Sequence, residues 1–222
     1  MFTGLLFLGA ALGLVAVGVW KVQRIEQQRT EAIRAAATRL GWGFQPEVPY
    51  DAIPRLDRFE LFDRGRNRTL RNLLTSPAGD PRAVVFDYTF VTGGGKSQQT
   101  HRQTVFYATS HQLELPAFSL RPENFLHRIG EIVGFQDIDL EAHPEFSRLF
   151  LLRGADEAAI RSALGDRVVA FLERRPGVCA AGLGAELLYW RPGRRVDAAE
   201  LETLIRDGFE LAAHFRDLPA EA

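Results

Sequence analysis

The chain has 222 residues, a formal net charge of −1, 46% hydrophobic and 25% charged residues, and one cysteine. This composition excludes a disordered chain, a disulfide-stapled scaffold and a thiol-cluster metal site, and its dispersed basic residues leave no nucleic-acid footprint. The length suits one folded domain behind a short N-terminal segment.

In that segment, Phe2–Trp20 carries no charge, and Lys21, Arg24, Arg29, Arg34 and Arg39 follow at once. As a helix the run is about 28 Å long, close to the hydrocarbon thickness of a bilayer. A signal peptide wants a basic region before the apolar run and a small-residue cleavage site after it, whereas here Met1 leads straight in and the run ends at Trp20-Lys21. A core helix wants a polar face, and this run offers only Thr3. The sequence therefore predicts a transmembrane anchor over 1–22, with Phe2, Leu5, Leu6, Leu12 and Val15 in hydrocarbon and Trp20 at the interface. The cations behind it predict an inner-membrane, single-pass topology with the N-terminus outside and the bulk of the chain cytoplasmic. Gly9 and Gly13 form a GxxxG pair, with Ala16 and Val17 continuing the face. Either two membrane helices pack there as a homodimer, or these are the small residues that membrane helices ordinarily carry.

Residues 23–41 read as a juxtamembrane helix with a modest stripe of Val22, Ile25, Ala32, Ile33, Ala36 and Leu40, stopped by Gly41. The domain is expected over 42–222, entered through an irregular stretch marked by Pro46, Pro49 and Pro54. Thr69–Leu74, Ala83–Val91 and Thr100–Thr109 then read as antiparallel strands, the last two joined by a glycine-rich tip at Gly93-Gly94-Gly95. After a strand over Leu113–Leu120, Pro122 opens a predicted helix to Val133. Strands over Phe135–Leu140 and Arg148–Arg153 and a helical pair over Asp156–Arg175, capped by Asp156 and Asp166, follow. Val178–Leu183 and Glu186–Arg191 make a last hairpin. Asp197 and Glu200 form a capping box for the final helix, with Val196 and Leu201 as its hydrophobic staple. The predicted fold is α+β: an N-terminal transmembrane helix, then one domain of antiparallel β-hairpins with interspersed and C-terminal helices.

Few residues point to chemistry. Gly94-Gly95-Lys96-Ser97 ends like a phosphate-binding loop, but Phe90 stands where the pattern needs its first glycine and a strand follows instead of a helix, so a hairpin tip is the better reading. Asp137, Asp139, Glu141 and His143 alternate, and on a strand they would share one face, a set suited to a hard cation such as Mg²⁺, Mn²⁺ or Zn²⁺. The simpler reading turns Ile138, Leu140 and Ala142 to the core and the polar set to water, since side chains two apart stand about 7 Å apart. Cys179, among Val178, Ala180 and Ala181, reads as a small buried hydrophobe rather than a nucleophile. His101, His111, His127 and His214 fall in no ligand or triad spacing and read as surface or helix-face residues. Asp87 interrupts the apolar run Val84–Phe90 and is expected to pair with a cross-strand Arg, while Glu123 suits a helix N-terminus.

The strings Val85-Phe86-Asp87-Tyr88-Thr89-Phe90, Gln103-Thr104-Val105, Leu120-Arg121-Pro122-Glu123-Asn124-Phe125 and His143-Pro144-Glu145-Phe146-Ser147 resemble uncharacterised single-pass bacterial membrane proteins of unknown function. The resemblance spans most of Trp42 to Leu211 and implies membrane attachment; it assigns no functional residue. The expected function is a non-catalytic binding or scaffolding module at the inner membrane, with no cofactor, whose partners are the lipid bilayer and a membrane-associated protein. The alternative is a membrane-tethered metal-dependent hydrolase using the Asp137–His143 strand.

Overall fold

The computed structural model describes residues 2–123 and 137–216, with side chains from Val17 onward. Its framework is an eight-stranded, wholly antiparallel sheet in the order β1-β2-β3-β4-β8-β7-β5-β6. The strands are β1 (Gly43–Val48), β2 (Arg66–Thr75), β3 (Arg82–Thr92), β4 (Gln99–Thr109), β5 (Leu115–Pro122), β6 (Phe150–Gly154), β7 (Cys179–Gly184) and β8 (Glu186–Trp190). The helices are α1 (Phe2–Leu40), α2 (Glu60–Asp63), α3 (Pro144–Leu149), α4 (Glu157–Ala163), α5 (Asp166–Glu173) and α6 (Leu201–Arg216). The α+β class and the antiparallel hairpins are as the sequence predicts. Alternation along β3 and β4 feeds two cores, one on each face. Val85, Phe106, Ala108, Leu120 and Tyr189 pack with α1, α3, α5 and α6. Phe86, Tyr88, Phe90, Val105 and Trp190 pack under the 53–62 segment, whose Phe59 and Phe62 are buried.

The longest helix, α1, runs unbroken from Phe2 to Leu40. Its second half lies on the sheet: Ile33, Ala36 and Ala37 are buried in the first core, so residues 29–37 are built into the domain. The expected stripe is buried only in its second half: Ile33 and Ala36 are buried and Leu40 packs against the core, joined by Ala37, whereas Val22 and Ile25 are 60% and 59% exposed and Ala32 faces solvent. Among the described residues no helix is long and apolar enough to cross a membrane. The side chains of Phe2, Leu5, Leu6, Gly9, Leu12, Gly13 and Val15 lie outside that description.

Several boundaries differ from the sequence reading. β1 occupies part of the stretch that prolines made look irregular; it is an edge strand, where Pro46 needs no ladder N–H. Pro122 closes β5 opposite Phe150 rather than opening a helix, and the rest of the helix expected from it lies outside the described residues. Of the strand expected over Phe135–Leu140, residues 135–136 lie outside the described residues and 137–140 are irregular, with Ile138 N–H reaching Leu152 O at 2.8 Å. Arg148 and Leu149 end α3, which starts on Pro144, a residue preorganised for the first helical position, and buries Phe146; β6 begins only at Phe150. Asp156 caps α4 by accepting from Ala159 N–H, but Gly165, not Asp166, takes the cap position of α5.

Two glycines set close approaches. Gly208 of α6 lies against the Phe106 ring, where a Cβ would come within 2.4 Å, so the helix seats directly on β4. Gly93 has φ 68 and would meet Ser97 O at 2.4 Å, which suits the tight tip between β3 and β4.

Candidate functional site: the junction of helix and sheet

Asp87 is the one charge inside the apolar stretch of β3, and alternation places it on the α1 face beside Val85. Thr104 of β4 is its register partner. On α1, Arg29 precedes Ile33, Ala36 and Ala37 by four, seven and eight residues, the spacing of one helical face. The three meet under the helix. Arg29 Nε and Nη2 donate to Asp87 Oδ2 and Oδ1 at 2.8 and 2.7 Å, a bidentate pair. Asn72 Nδ2 donates to Oδ2 at 2.9 Å, and Thr104 Oγ1–H donates to Oδ1 at 2.8 Å. Thr104 Oγ1 in turn accepts from Val196 N–H at 3.0 Å and from Arg29 Nη2 at 3.2 Å. Asn72 sits in the register shift of β2 with φ 54, a left-handed conformation that Asn tolerates better than most residues.

One turn nearer the N-terminus, Arg195 grips Glu26 through both guanidinium nitrogens at 2.7 and 2.8 Å. That hydrogen bonding, opposed by burial, holds the Glu26 carboxyl below its usual range. The Arg195 loop is pinned to β4 by Thr104 N–H to Arg194 O at 3.1 Å and by Gly193 N–H to Gln103 Oε1 at 3.2 Å. Helix, sheet and the loop before α6 thus share one buried polar knot. With Asp87 and Arg29 only 4% and 12% exposed, the carboxylate's two oxygens are taken by four donors. A carboxylate so occupied has no free lone pair aimed at a substrate; its chemistry is mechanical attachment.

The candidate metal set does not converge. Asp137 Oδ1 accepts from Leu152 N–H at 3.0 Å, Asp139 and Glu141 are exposed, and His143 Nε2 lies 3.1 Å from Asp166 Oδ1. Ile138 and Leu140 are buried between them. Among the described residues no group of three or more His, Cys, Asp or Glu side chains is arranged to hold a metal ion. Partial desolvation pushes the carboxyl of the exposed Asp137 up, against the hydrogen bond from Leu152 N–H.

Other candidates fall as follows. Cys179 opens β7, is fully buried, and has its thiol pushed up by that burial. His101 is not a surface residue: it is 7% exposed, stacks on Phe90 at 4.7 Å and bonds Thr92 Oγ1 at 2.7 Å. His111 is exposed beside Asp80, and His214 packs on Phe171; His127 lies outside the described residues. Gly94–Ser97 is the exposed hairpin tip. Arg121 pairs with Glu60 of α2, which also pairs with Arg64. Trp20 is exposed, with the Arg24 guanidinium 5.1 Å over its ring. A hollow of about 370 Å³ beside α2 is lined by Phe59, Leu61, Phe118, Leu183 and Trp190 together with Arg58 and Arg121. Neither it nor a hollow of about 1050 Å³ between β5 and α4 involves the Asp137–His143 segment.

Sequence reasoning missed Arg29, Asn72 and Thr104. Only Arg29 left a signal, as a charge in phase with Ile33, Ala36 and Ala37.

No protein-family profile matches the chain, and no curated protein matches it. Its fold is similar to that in the crystal structure of the mycobacterial trehalose monomycolate transport factor A, TtfA. The TM-score is 0.61 at 14% identity, over 87% of this chain and 98% of that one. At that identity the likeness is one of fold.

Proposed function

We propose that this protein is a non-catalytic binding or scaffolding module held at the bacterial inner membrane by the first half of α1, with its N-terminus outside and its domain in the cytoplasm. The observation that carries this reading is the continuity of α1. One helix leads from an uncharged sequence of membrane-spanning length into the domain core, where Arg29 and Asp87 lock it. A knot spent on attachment, with no metal-ligating cluster among the described residues, suits a protein whose work is position. The fold neighbour is by description a transport factor, and we extend that role here: the module serves a membrane transport process by holding a membrane-associated partner.

The test is alkaline extraction of membranes from cells expressing the full chain, followed by in-cell crosslinking. The protein is expected to stay in the pellet and to crosslink a specific membrane-associated protein. Release into the supernatant would sink the anchor, and crosslinks to no defined neighbour would sink the scaffold. A C-terminal alkaline phosphatase fusion is expected to be inactive; activity would reverse the topology. Self-association through Gly9 and Gly13 is a further proposal, and it fails if Gly9→Ile with Gly13→Ile leaves dimerisation of the isolated span unchanged.

A further inference from the structure

We propose that the end of the domain formed by the β3–β4 tip is a contact surface for anionic lipid headgroups, so that the domain lies against the membrane in one fixed orientation. The inference rests on the anchoring reading and adds to it which surface faces the bilayer and what chemistry it recognises.

The direction comes from the junction. The C-terminal end of α1 leads into Gly43, which pairs with Thr75 opposite Val84, whereas Arg29 binds Asp87 farther along β3. The N-terminal half of α1 therefore leaves toward the end of the sheet where β3 and β4 meet at Thr92 and Gln99. From Arg29 to Trp20 the helix rises about 13 Å. From Asp87 to Thr92 the strand rises about 17 Å. Both distances start from one ion pair, and to the extent that α1 runs along β3 a bilayer interface at Trp20 lies at about the reach of the hairpin tip. α1 has no break to let the domain swing away.

The side chains at this end suit an anionic surface. Lys21 and Arg24 are exposed on α1. Arg102 stands on the α1 face of β4, two residues tipward of Thr104, and Lys96 is exposed at the tip. Exposed Arg66 braces the tip by donating to Gly93 O and Gln98 Oε1. Of the acids nearby, Glu26 is engaged by Arg195 and Glu200 by Arg194, while Asp63, 4.0 Å from Arg68, and Asp197 are exposed. Among the described residues no carboxylate pairs with Lys96 or Arg102. The exposed apolar residues Val17, Val19, Trp20, Val22 and Ile25 continue along α1 into the same zone, as an interfacial helix segment does. The surface potential of an anionic leaflet decays over about 8 Å at physiological salt, so cations held this close feel it.

The test uses the full chain in vesicles of phosphatidylcholine, with or without phosphatidylglycerol, containing a lipid that carries a nitroxide on its headgroup. In a Cys179→Ala background, a dye is placed by Gly94→Cys at the tip, where a Cβ meets no neighbour within 4 Å, or by Ala78→Cys in the exposed loop at the far end. The tip dye is expected to be quenched several-fold more than the Ala78→Cys dye. The excess should grow with phosphatidylglycerol and disappear in Lys96→Glu with Arg102→Glu. Equal quenching at both positions in a protein that resists alkaline extraction overturns the contact surface and leaves the anchor standing. Tip quenching indifferent to phosphatidylglycerol and to the charge reversal overturns anionic recognition. Release by alkali removes the anchor and this proposal together.

Discussion

Asp87 and the Asp137–His143 segment are two acidic features that look comparable in sequence and end in opposite physical states. Asp87 is a lone acid in an apolar strand, and its carboxylate is buried under α1 with four donors around it. The segment carries four potential ligands in regular alternation, and they disperse: one to a backbone amide, one to Asp166, two to solvent. A charge is informative when its surroundings leave it no water. Burial forces Asp87 to find partners, whereas alternation on a surface forces nothing.

Removing the buried acid is the severest way to break this contrast. Asp87→Ala leaves the Arg29 guanidinium part-buried without its counter-ion, and Asn72 and Thr104 without their acceptor. A loss of about 3–5 kcal/mol is expected in chemical unfolding of the full chain in detergent. Adding Arg29→Met to that variant should cost much less than Arg29→Met alone, since the pair acts as a unit. Equal, additive losses would show that the bidentate pair contributes little.

Thr104→Val probes the knot more gently. The methyl keeps the volume but removes the donor to Asp87 and the acceptor of Val196 N–H. With the 3.2 Å contact from Arg29 Nη2, three hydrogen bonds are lost in a buried site, and the expected loss is about 1–3 kcal/mol, read from the same unfolding midpoint. A change below a few tenths of that would mean that the loop before α6 is held by packing alone.

How much of this was legible depends on sequence distance. The β3–β4 hairpin and the β7–β8 hairpin were readable because strand chemistry and turn glycines lie side by side, and the start of α6 because Glu200 accepts from Asp197 N–H three residues away. The exceptional character of Asp87 was readable too, but its partner was expected on a neighbouring strand. Arg29 lies 58 residues earlier on a helix whose packed face was read rightly at Ile33 and Ala36 but extended to the exposed Val22 and Ile25 instead of Ala37. Asn72 was invisible because a β-bulge leaves no composition signal. The strand expected over Arg148–Arg153 was half right: Pro144 and Phe146 drew the chain into a short helix before Phe150 restored the β-ladder.

The outer pair of the junction is testable by pH. Glu26 is held below its ordinary value of 4.5 mainly by the Arg195 hydrogen bond. Below that ordinary value the unfolded chain binds the proton more readily than the folded one, so the pair's contribution is present above pH ~4.5 and is lost as pH falls through the lowered folded value. Glu200 is lowered as well, by its bond to Asp197 N–H, and shares the direction. The difference between wild type and Glu26→Gln isolates the first group. The two melting curves should differ at neutral pH and converge on acidification, and a gap independent of pH would assign the effect to packing.

The smallest expected effect lies in the segment that looked most like a site. Asp139→Ala and Glu141→Ala remove exposed carboxylates, and each should change stability by less than about 0.5 kcal/mol. Asp137→Ala should cost more, about 1 kcal/mol, because Leu152 N–H at the sheet edge loses its acceptor. A metal site predicts the reverse pattern: coupled losses among Asp137, Asp139, Glu141 and His143, and a melting temperature lowered by a chelator. The ranking of the three acids therefore separates the two readings without an activity assay, since a ligand set fails as a group whereas a backbone-capping Asp beside two solvated neighbours fails alone.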